Sequence, residues 1–285
     1  MPKVVPTTTH TLLVGDALTL PLFDDVVDLV FTSPPYEDAR TYGMDYSLKG
    51  SDWVNWCFPR YMECLRVCRG LVAWVVQGRT RNYEWSATPT YLLHTLSVCP
   101  TVRVRNPPIY HRVGIPGSVG PDWLRSDYEW VVCATRDDVT RLPWSDNVAC
   151  GAPPKYDVGG DMSYRTQDGQ RRNARTGVRL QETYRKRPPE RANPGNVLHG
   201  TVGGGQMGHP LAHENEAPFP LWLAEFFVRS FCPPGGVVLD PMCGSGTVAH
   251  AAHKWGRNSI SMDVRESQIQ LTRRRLMDVG ANTTT

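Results

Sequence analysis

Short runs of apolar, often β-branched residues alternate along the chain with segments whose apolar positions recur at helical spacing. The short runs predict strands near residues 11–18, 26–31, 70–78, 101–105, 129–135, 237–240 and 259–263. Three- and four-residue apolar steps predict helices near residues 52–68, 90–97, 219–231, 247–255 and 266–279. Strand, helix and strand in this order imply an α/β protein with a mostly parallel sheet.

Some segments carry finer expectations. Pro59 should kink the first helix or divide it into two pieces, since proline removes a helical hydrogen bond. Residues 106–120 are rich in Pro and Gly and are expected to form a long loop. Arg273, Arg274 and Arg275 should give the last helix a basic outer face, and residues 281–285 should fray.

The segment 137–208 lacks apolar periodicity and predicts an irregular insertion. The net charge of the chain is only +3, but residues 165–191 hold nine basic and three acidic residues, a local charge of +6. A solvated surface loop would explain this composition. A surface that follows a phosphate backbone, with Tyr164 and Tyr184 available for stacking, would explain it equally well.

Cysteine and histidine spacing excludes several classes of protein. The eight cysteines form no CxxC pair, which favours a reducing compartment over a disulfide framework. Pro210 lies between His209 and His213, so no metal site is expected there. The first ten residues lack the apolar core of a signal peptide, and the longest apolar run, residues 71–76, is too short to span a bilayer. A soluble, cytoplasmic protein is expected.

The first candidate for chemistry is the sequence Phe31-Thr32-Ser33-Pro34-Pro35-Tyr36. It follows a buried strand, and its two prolines must leave the sheet in an extended conformation. A hydroxyl, a free carbonyl and an aromatic ring would then lie at the carboxyl end of a strand, where open α/β sheets bind ligands. Taken alone, the segment could equally be a plain Pro-Pro loop.

The second candidate runs from Val237 to Asp263 as strand, glycine-rich turn, helix, strand and acid. Gly244 and Gly246 allow close approach of a ligand to a helix amino end, and Asp263 could accept hydrogen bonds from ribose hydroxyls. A dinucleotide site should have a third glycine where Ala249 stands. Asp240 would repel a pyrophosphate but suits an ammonium group, so these residues favour S-adenosylmethionine over NAD.

A family resemblance joins the two candidates. Asp240-Pro241-Met242-Cys243-Gly244-Ser245-Gly246-Thr247 resembles the S-adenosylmethionine motif of DNA amino-methyltransferases, and Thr32-Ser33-Pro34-Pro35-Tyr36 resembles their catalytic motif. The catalytic motif comes first, which is the permuted order of the β group. Residues 213–220 resemble the segment that lies against the methionine portion of the cofactor. The resemblance covers residues 11–136 and 209–278; Met242 departs from the aromatic residue common in the family.

The resemblance implies one Rossmann-like methyltransferase domain, with a mostly parallel twisted sheet and helices on both faces. Residues 1–136 would form its catalytic half, residues 137–208 a target-recognition insertion and residues 209–285 its S-adenosylmethionine-binding half. Double-stranded DNA would be the partner, in a bacterial, archaeal or phage-infected cell. The resemblance leaves open a cognate restriction endonuclease, as in restriction-modification systems, and a homodimer.

The resemblance also assigns roles in methyl transfer. The Ser33 hydroxyl and Pro34 carbonyl would accept hydrogen bonds from an exocyclic amine, Pro35 would stiffen the backbone, and Tyr36 would stack on a flipped base. Ser-Pro-Pro-Tyr is typical of N4-cytosine enzymes, whereas Asp-Pro-Pro-Tyr is typical of N6-adenine enzymes. An RNA methyltransferase and a catalytically silent nucleic-acid-binding module are also possible. No cysteine has a Pro-Cys setting, which argues against cytosine C5 methylation.

The remaining predicted site residues fall into two groups. The expected cofactor-binding residues are Asp16, Thr32, Pro218, Phe219, Asp240, Pro241, Met242, Cys243, Gly244, Ser245, Gly246, Thr247 and Asp263. Asp16 resembles the family's acid near the adenine ring, and a turn cap is the alternative. The expected DNA-binding residues are Arg165, Arg171, Arg172, Arg175, Arg179, Arg185, Lys186 and Arg187.

Overall fold

The computed structural model describes residues 8–38, 47–114, 122–154, 163–173, 190–203 and 205–284. In chain order its strands are β1 Thr9–Val14, β2 Val27–Thr32, β3 Cys68–Val76, β4 Thr80–Arg81, β5 Glu84–Trp85, β6 Val102–Val104, β7 Ile109–Val113, β8 Tyr128–Arg136, β9 Ser163–Arg165, β10 Arg171–Asn173, β11 Val197–Thr201, β12 Val237–Asp240, β13 Asn258–Asp263 and β14 Asn282–Thr284. The helices are α1 Gly50–Val67, α2 Thr88–Ser97, α3 Leu221–Phe231, α4 Thr247–Lys254 and α5 Glu266–Asp278, with a 3-10 helix at Pro210–Glu214.

One large sheet organises these elements. Its strand order is β11-β7-β8-β3-β2-β12-β13-β1-β14, and β6 also pairs with β8. From β3 to β14 every neighbouring pair is parallel, whereas β8 is antiparallel to β3, β6 and β7. This mixed, mostly parallel sheet confirms the predicted α/β fold class.

Helices cover both faces of the sheet. In β2 every residue is buried, and successive side chains point to opposite faces. Val30 packs in the cluster that contains Trp53 and Tyr61 of α1, whereas Phe31 packs in the cluster that contains Phe227 of α3. A strand buried on both faces reads as a continuous apolar run, which is why β2 and β3 are recognisable from sequence.

Three sequence-based expectations are wrong. The helix α1 is continuous through Pro59, and its apolar face, including Trp53 and Tyr61, is buried. The strand β7 lies within the segment predicted to be a loop, because β8 and β11 supply its hydrogen-bond partners. The segment expected to fray contains β14, which pairs with β1.

The chain divides into two compact units, residues 1–146 with 195–285 and residues 147–194. The predicted insertion, residues 137–208, was drawn too wide. Asp146 donates a backbone hydrogen bond to Ser230, and β11 joins the large sheet through β7, so both flanks belong to the larger unit. Target recognition by the smaller unit stays a prediction. No helix in the described ranges is both long and apolar enough to cross a membrane.

Candidate active site

The two sequence motifs follow neighbouring parallel strands. Leu29 of β2 is paired with Val238 of β12, so Thr32 and Asp240 end at the same edge of the sheet. The Thr32 hydroxyl donates a 2.6 Å hydrogen bond to the Asp240 carboxylate, across 208 residues of sequence. The segment Ser33–Tyr36 and the glycine-rich turn are therefore parts of one site.

Asp240 is buried at this junction. The residue is only 2% exposed, and its Oδ1 atom also accepts a 3.2 Å hydrogen bond from the Met242 backbone. Burial is the main cause that raises the pKa of Asp240 to about 7, and the charge of Asp263 adds to it. The hydrogen bonds from Thr32 and Met242 act in the opposite direction. Asp240 thus links the two motifs.

This raised pKa makes a prediction about stability. Because the folded pKa is about 7 and the ordinary value is 3.8, the native state holds a proton that the unfolded state releases between those pH values. Asp240 therefore favours folding most below pH 3.8, and this contribution is lost as pH rises to 7. Chemical denaturation from pH 4 to 8 should show wild type losing about 4 kcal/mol relative to Asp240→Asn.

The exposed residue Asp138 supplies the control for this experiment, through the variant Asp138→Asn. Asparagine at position 240 keeps an oxygen acceptor for Thr32 and Met242, so the comparison isolates the charge. A difference between wild type and Asp240→Asn that stays constant with pH would contradict the assigned titration.

The glycine-rich turn packs tightly between β12 and α4. Gly244 and Gly246 have positive φ angles of 49° and 74°, and a Cβ atom on Gly246 would lie 2.6 Å from Thr272 Cγ2. The Gly246 backbone donates to the Cys243 carbonyl at 2.8 Å, and the Gly244 backbone donates to Asp263 Oδ2 at 3.1 Å. Only glycine allows this backbone path so close to α5.

Two side chains of α5, one helical turn apart, hold the same turn. Thr272 Oγ1 donates a 2.9 Å hydrogen bond to the Gly244 carbonyl. Arg275 Nη1 donates to the Ser245 carbonyl at 3.2 Å and to Thr247 Oγ1 at 2.9 Å. The turn is therefore fixed from behind, and the carbonyls that these side chains bind are directed towards α5.

Arg275 also joins the turn to a second segment. Its Nη2 atom donates a 2.9 Å hydrogen bond to the Met207 carbonyl, and the residue is fully buried. Burial lowers the pKa of Arg275 to about 10, so the guanidinium remains charged at neutral pH. The predicted basic outer face is wrong for this residue, because Arg275 shares the buried face of α5 with Leu271 and Thr272.

A first cavity opens at this edge of the sheet. It is lined by the loop Ser33–Tyr36 and by Asp16, Trp56, Arg60, Asn215, Pro241, Met242, Gly244 and Asp263. Five of the predicted cofactor-binding residues therefore face it, namely Asp16, Pro241, Met242, Gly244 and Asp263. The other predicted residues of the turn, Cys243, Ser245, Gly246 and Thr247, are buried in the packing behind it.

Asp16 is fixed at the far side of the first cavity by Arg60. The guanidinium binds both carboxylate oxygens, with Nε–Oδ1 and Nη2–Oδ2 distances of 3.0 and 2.8 Å, and lies 3.9 Å from the centre of the Trp56 ring. Asp16 also caps its own turn by accepting from the Leu18 backbone at 2.9 Å. Sequence reasoning missed Arg60 and Trp56; their four-residue spacing beside the apolar face of α1 was the available signal.

A second cavity adjoins the loop Ser33–Tyr36. Ser33, Tyr36 and Ala217 line both cavities. The second cavity is also lined by Gln77, Arg79, Arg112, Glu129, Pro218 and Phe219. Pro218 and Phe219, predicted to bind cofactor, thus face the second cavity. Ser33 and Tyr36 stand where the two spaces meet.

The hydrogen bonds of the loop define which atoms remain available. Ser33 Oγ donates to the Val75 carbonyl at 3.1 Å, which uses its only proton and leaves lone pairs able to accept. Trp53 Nε1 donates to the Pro35 carbonyl at 2.8 Å. Within the described part of the chain, no donor to the Pro34 carbonyl is found. Two acceptors on adjacent residues are thus available at the junction of the cavities.

Tyr36 is held through its hydroxyl. It donates a 2.7 Å hydrogen bond to Glu129 Oε2, while Arg112 Nη1 lies 3.0 Å from Glu129 Oε1. Burial raises the pKa of Glu129, although the Arg112 charge and the Tyr36 hydroxyl oppose this shift. Sequence reasoning missed Glu129 and Arg112, because only the folding of β7 and β8 beside β3 brings them to the loop.

Three of the predicted DNA-binding residues lie in the smaller unit, on the hairpin of β9 and β10. Arg165 is directly opposite Arg171, and Arg172 is opposite Tyr164. Directly opposite side chains share a face, so Arg165 and Arg171 concentrate positive charge there. The other five, Arg175, Arg179, Arg185, Lys186 and Arg187, lie outside the described residues.

Comparison with known families identifies this site. A family model described as DNA methylase matches residues 27–274, which include β2, the loop Ser33–Tyr36 and the glycine-rich turn. The chain belongs to the DNA methylase family. The methylase is thus an enzyme that methylates DNA, as its two motifs predict.

Individual relatives extend over nearly the whole methylase. It is 26% identical over 282 residues to DNA adenine methyltransferase YhdJ of Escherichia coli (strain K12), covering 95% of this chain and 84% of the relative. The PvuII DNA methyltransferase (cytosine-N4-specific) has a similar structure, with a TM-score of 0.68 at 17% identity over 97% of this chain and 89% of that one.

A third similar structure contains a cofactor. TTHA0409 of Thermus thermophilus, a DNA modification methylase complexed with S-adenosyl-L-methionine, matches with a TM-score of 0.54 at 23% identity. The match covers 97% of the methylase and 96% of that chain. At these identities the structural matches establish the shared fold, which confirms the expected α/β methyltransferase architecture.

Proposed function

We propose that this methylase transfers the methyl group of S-adenosylmethionine to the exocyclic N4 amine of a cytosine flipped out of duplex DNA. The observation that carries the proposal is the position of Ser33, which lines both cavities while its proton is directed to Val75. The first cavity would hold the cofactor and the second the base. Residues 147–194 would contribute to recognition of the target.

The first cavity suits S-adenosylmethionine. Gly244 exposes backbone there without a side chain, and the carboxylate of Asp263 stands at the end of β13, where ribose hydroxyls could donate to it. Trp56 and Met242 add apolar surface for an adenine ring, and Asp16 offers a carboxylate beside them. The turn that carries Gly244 follows the acidic strand end of Asp240, which suits a cationic ligand.

When bound, S-adenosylmethionine supplies an electrophilic methyl group on a sulfonium. The protein must then improve the amine, whose lone pair is delocalised into the base. Ser33 Oγ and the Pro34 carbonyl can each accept one amino hydrogen, which favours a tetrahedral nitrogen with its lone pair directed across the junction. Trp53 fixes the loop through Pro35, so these acceptors are preorganised.

Tyr36 would stack on the flipped base. The Glu129 carboxylate holds its hydroxyl, and Arg112 holds Glu129, so the ring is oriented before DNA binds. Preorganisation of this kind reduces the side-chain entropy lost on binding. No covalent enzyme intermediate is needed, because the amine attacks the methyl group directly and then loses a proton.

Cytosine is favoured over adenine by the Ser-Pro-Pro-Tyr sequence, which within the permuted β group resembles N4-cytosine enzymes. The structural similarity to a cytosine-N4-specific enzyme supports the same choice. N6-adenine methylation is the second candidate, because the relative from Escherichia coli that spans nearly the whole chain is an adenine methyltransferase.

The deciding experiment identifies the methylated base. Duplex DNA of mixed sequence is incubated with the protein and S-adenosylmethionine carrying a labelled methyl group, digested to nucleosides and separated by mass. Label in N4-methyldeoxycytidine supports the proposal, and label in N6-methyldeoxyadenosine replaces it with the second candidate. An RNA sample treated in parallel tests the alternative substrate, and label confined to RNA would overturn the proposal.

A further inference from the structure

The loop that joins β7 to β8 carries two large apolar side chains in solvent. Trp123 is 79% exposed and Leu124, its neighbour, is 82% exposed. Single exposed apolar residues are common on protein surfaces, but two adjacent ones of this size indicate a surface that is covered by a partner.

Side chains of the large sheet fix the base of this loop. Arg112 Nη2 donates a 3.0 Å hydrogen bond to the Ser126 carbonyl. Gln77 Nε2 donates to Ser126 Oγ at 2.8 Å and to the Tyr128 carbonyl at 2.7 Å. The backbone of Arg112 also donates to Asp127 at 2.7 Å. The exposed pair is therefore presented from an anchored position.

The anchors are residues of the second cavity. Arg112 and Gln77 both line it, and Arg112 continues through Glu129 to the Tyr36 hydroxyl. Trp123 is three residues from Ser126, so their Cα atoms are within about 11 Å of each other. The exposed pair thus lies beside the space assigned above to the flipped base.

We propose that Trp123 and Leu124 form an apolar wedge that enters the DNA beside the target nucleotide and fills the stacking space that the base leaves. This inference rests on the proposed base-flipping function. An extruded base leaves apolar faces of its neighbours exposed, and an aromatic or aliphatic side chain can cover them. The wedge stabilises the open duplex and makes no contribution to the chemistry at the amine.

The alternative occupant is a second copy of the protein, and the charges of the loop do not decide between the two. Asp122 and Asp127 offset Arg125, so the loop has no excess of positive charge. Continuity with the second cavity favours DNA, because the hydrogen-bonded chain from Ser126 to Tyr36 links this loop to the catalytic segment.

The test compares the variants Trp123→Ala and Leu124→Ala with the control Phe23→Ala. Phe23 is 86% exposed but precedes the amino end of β2, at the opposite edge of the sheet from Ser33. Two duplexes are methylated, once the labelled position has been mapped: one with the target base paired, and one with it opposite an abasic site. An unpaired base is extruded at little cost.

On the paired duplex each wedge variant should lose about 5- to 150-fold in kcat/KM, the range expected for losing one stacking contact. On the abasic duplex the loss should fall to within about three-fold, and Phe23→Ala should match wild type on both. Equal losses on both duplexes, or none, would overturn the wedge. So would a change in molar mass by light scattering without DNA, which would assign the pair to a protein interface.

The two failures are distinguishable. If wild type labels neither duplex, the proposed methylation itself fails. If wild type labels both and the wedge variants behave like Phe23→Ala, only the wedge is wrong. Because Trp123 and Leu124 are exposed, unchanged thermal unfolding of the variants is expected and excludes a general loss of folded protein.

Discussion

Ser33→Ala is expected to lower kcat by about 10²- to 10³-fold, the range found when one preorganised hydrogen-bonding group is removed from a polar transition state. The alanine variant cannot accept an amino hydrogen, so the base amine keeps its delocalised lone pair. The dissociation constant of S-adenosylmethionine, measured by calorimetry, should change by less than about three-fold, because the hydroxyl is proposed to act on the base. Steady-state kinetics with labelled cofactor measure the loss in turnover.

Ser97→Ala is the matched control for this experiment. Ser97 also donates to a main-chain carbonyl, that of His94 at 2.7 Å, but it is exposed at the end of α2. Its substitution should leave turnover unchanged. If Ser33→Ala weakened cofactor binding as strongly as turnover, Ser33 would have a structural role, through its bond to Val75, instead of a catalytic one.

Arg275→Met is expected to have the largest effect on cofactor binding and on stability together. It removes the donors to the carbonyls of Ser245 and Met207 and to the Thr247 hydroxyl, in a fully buried position. Leaving such acceptors unsatisfied should cost about 2 to 4 kcal/mol of unfolding free energy. With its turn released, the first cavity should bind S-adenosylmethionine about tenfold or more weakly.

Arg274→Met provides the control on the same helix. Arg274 is exposed and forms a surface ion pair with Glu214 at 2.7 Å, which should contribute at most about 1 kcal/mol. Arg275→Lys keeps the positive charge but cannot bind all three acceptors at once, so intermediate binding is expected and a folded protein is retained. Equal behaviour of the Arg274 and Arg275 methionine variants would contradict the role assigned to Arg275.

The sequence predicted those parts of the fold whose signal is local. β2, β3 and β12 are continuous apolar runs between turn residues, and α3 and α5 repeat their apolar positions at helical spacing. In the same way Ser33 and the glycines of the turn were found because their residue types are unusual at strand ends. Their meeting through Thr32 and Asp240 follows from the order of parallel strands, which the family resemblance implies.

Features that depend on distant partners were missed. β14 is only three residues long, and its strand conformation comes from pairing with β1. Arg275 lies in a run of three arginines, so composition suggested a solvated surface; its burial depends on carbonyls of Ser245 and Met207 that face α5. Glu129 reaches Tyr36 only because β8 pairs with β3.

The division of the chain into two compact units also bears on how such an enzyme can diversify. Every strand pair of the large sheet, and every lining residue of both cavities, belongs to residues 1–146 and 195–285. Mutations within residues 147–194 can therefore accumulate, or a whole replacement segment can be inherited, without altering the residues that bind cofactor and activate the amine. Lineages could acquire new DNA targets in this way while their chemistry stays constant.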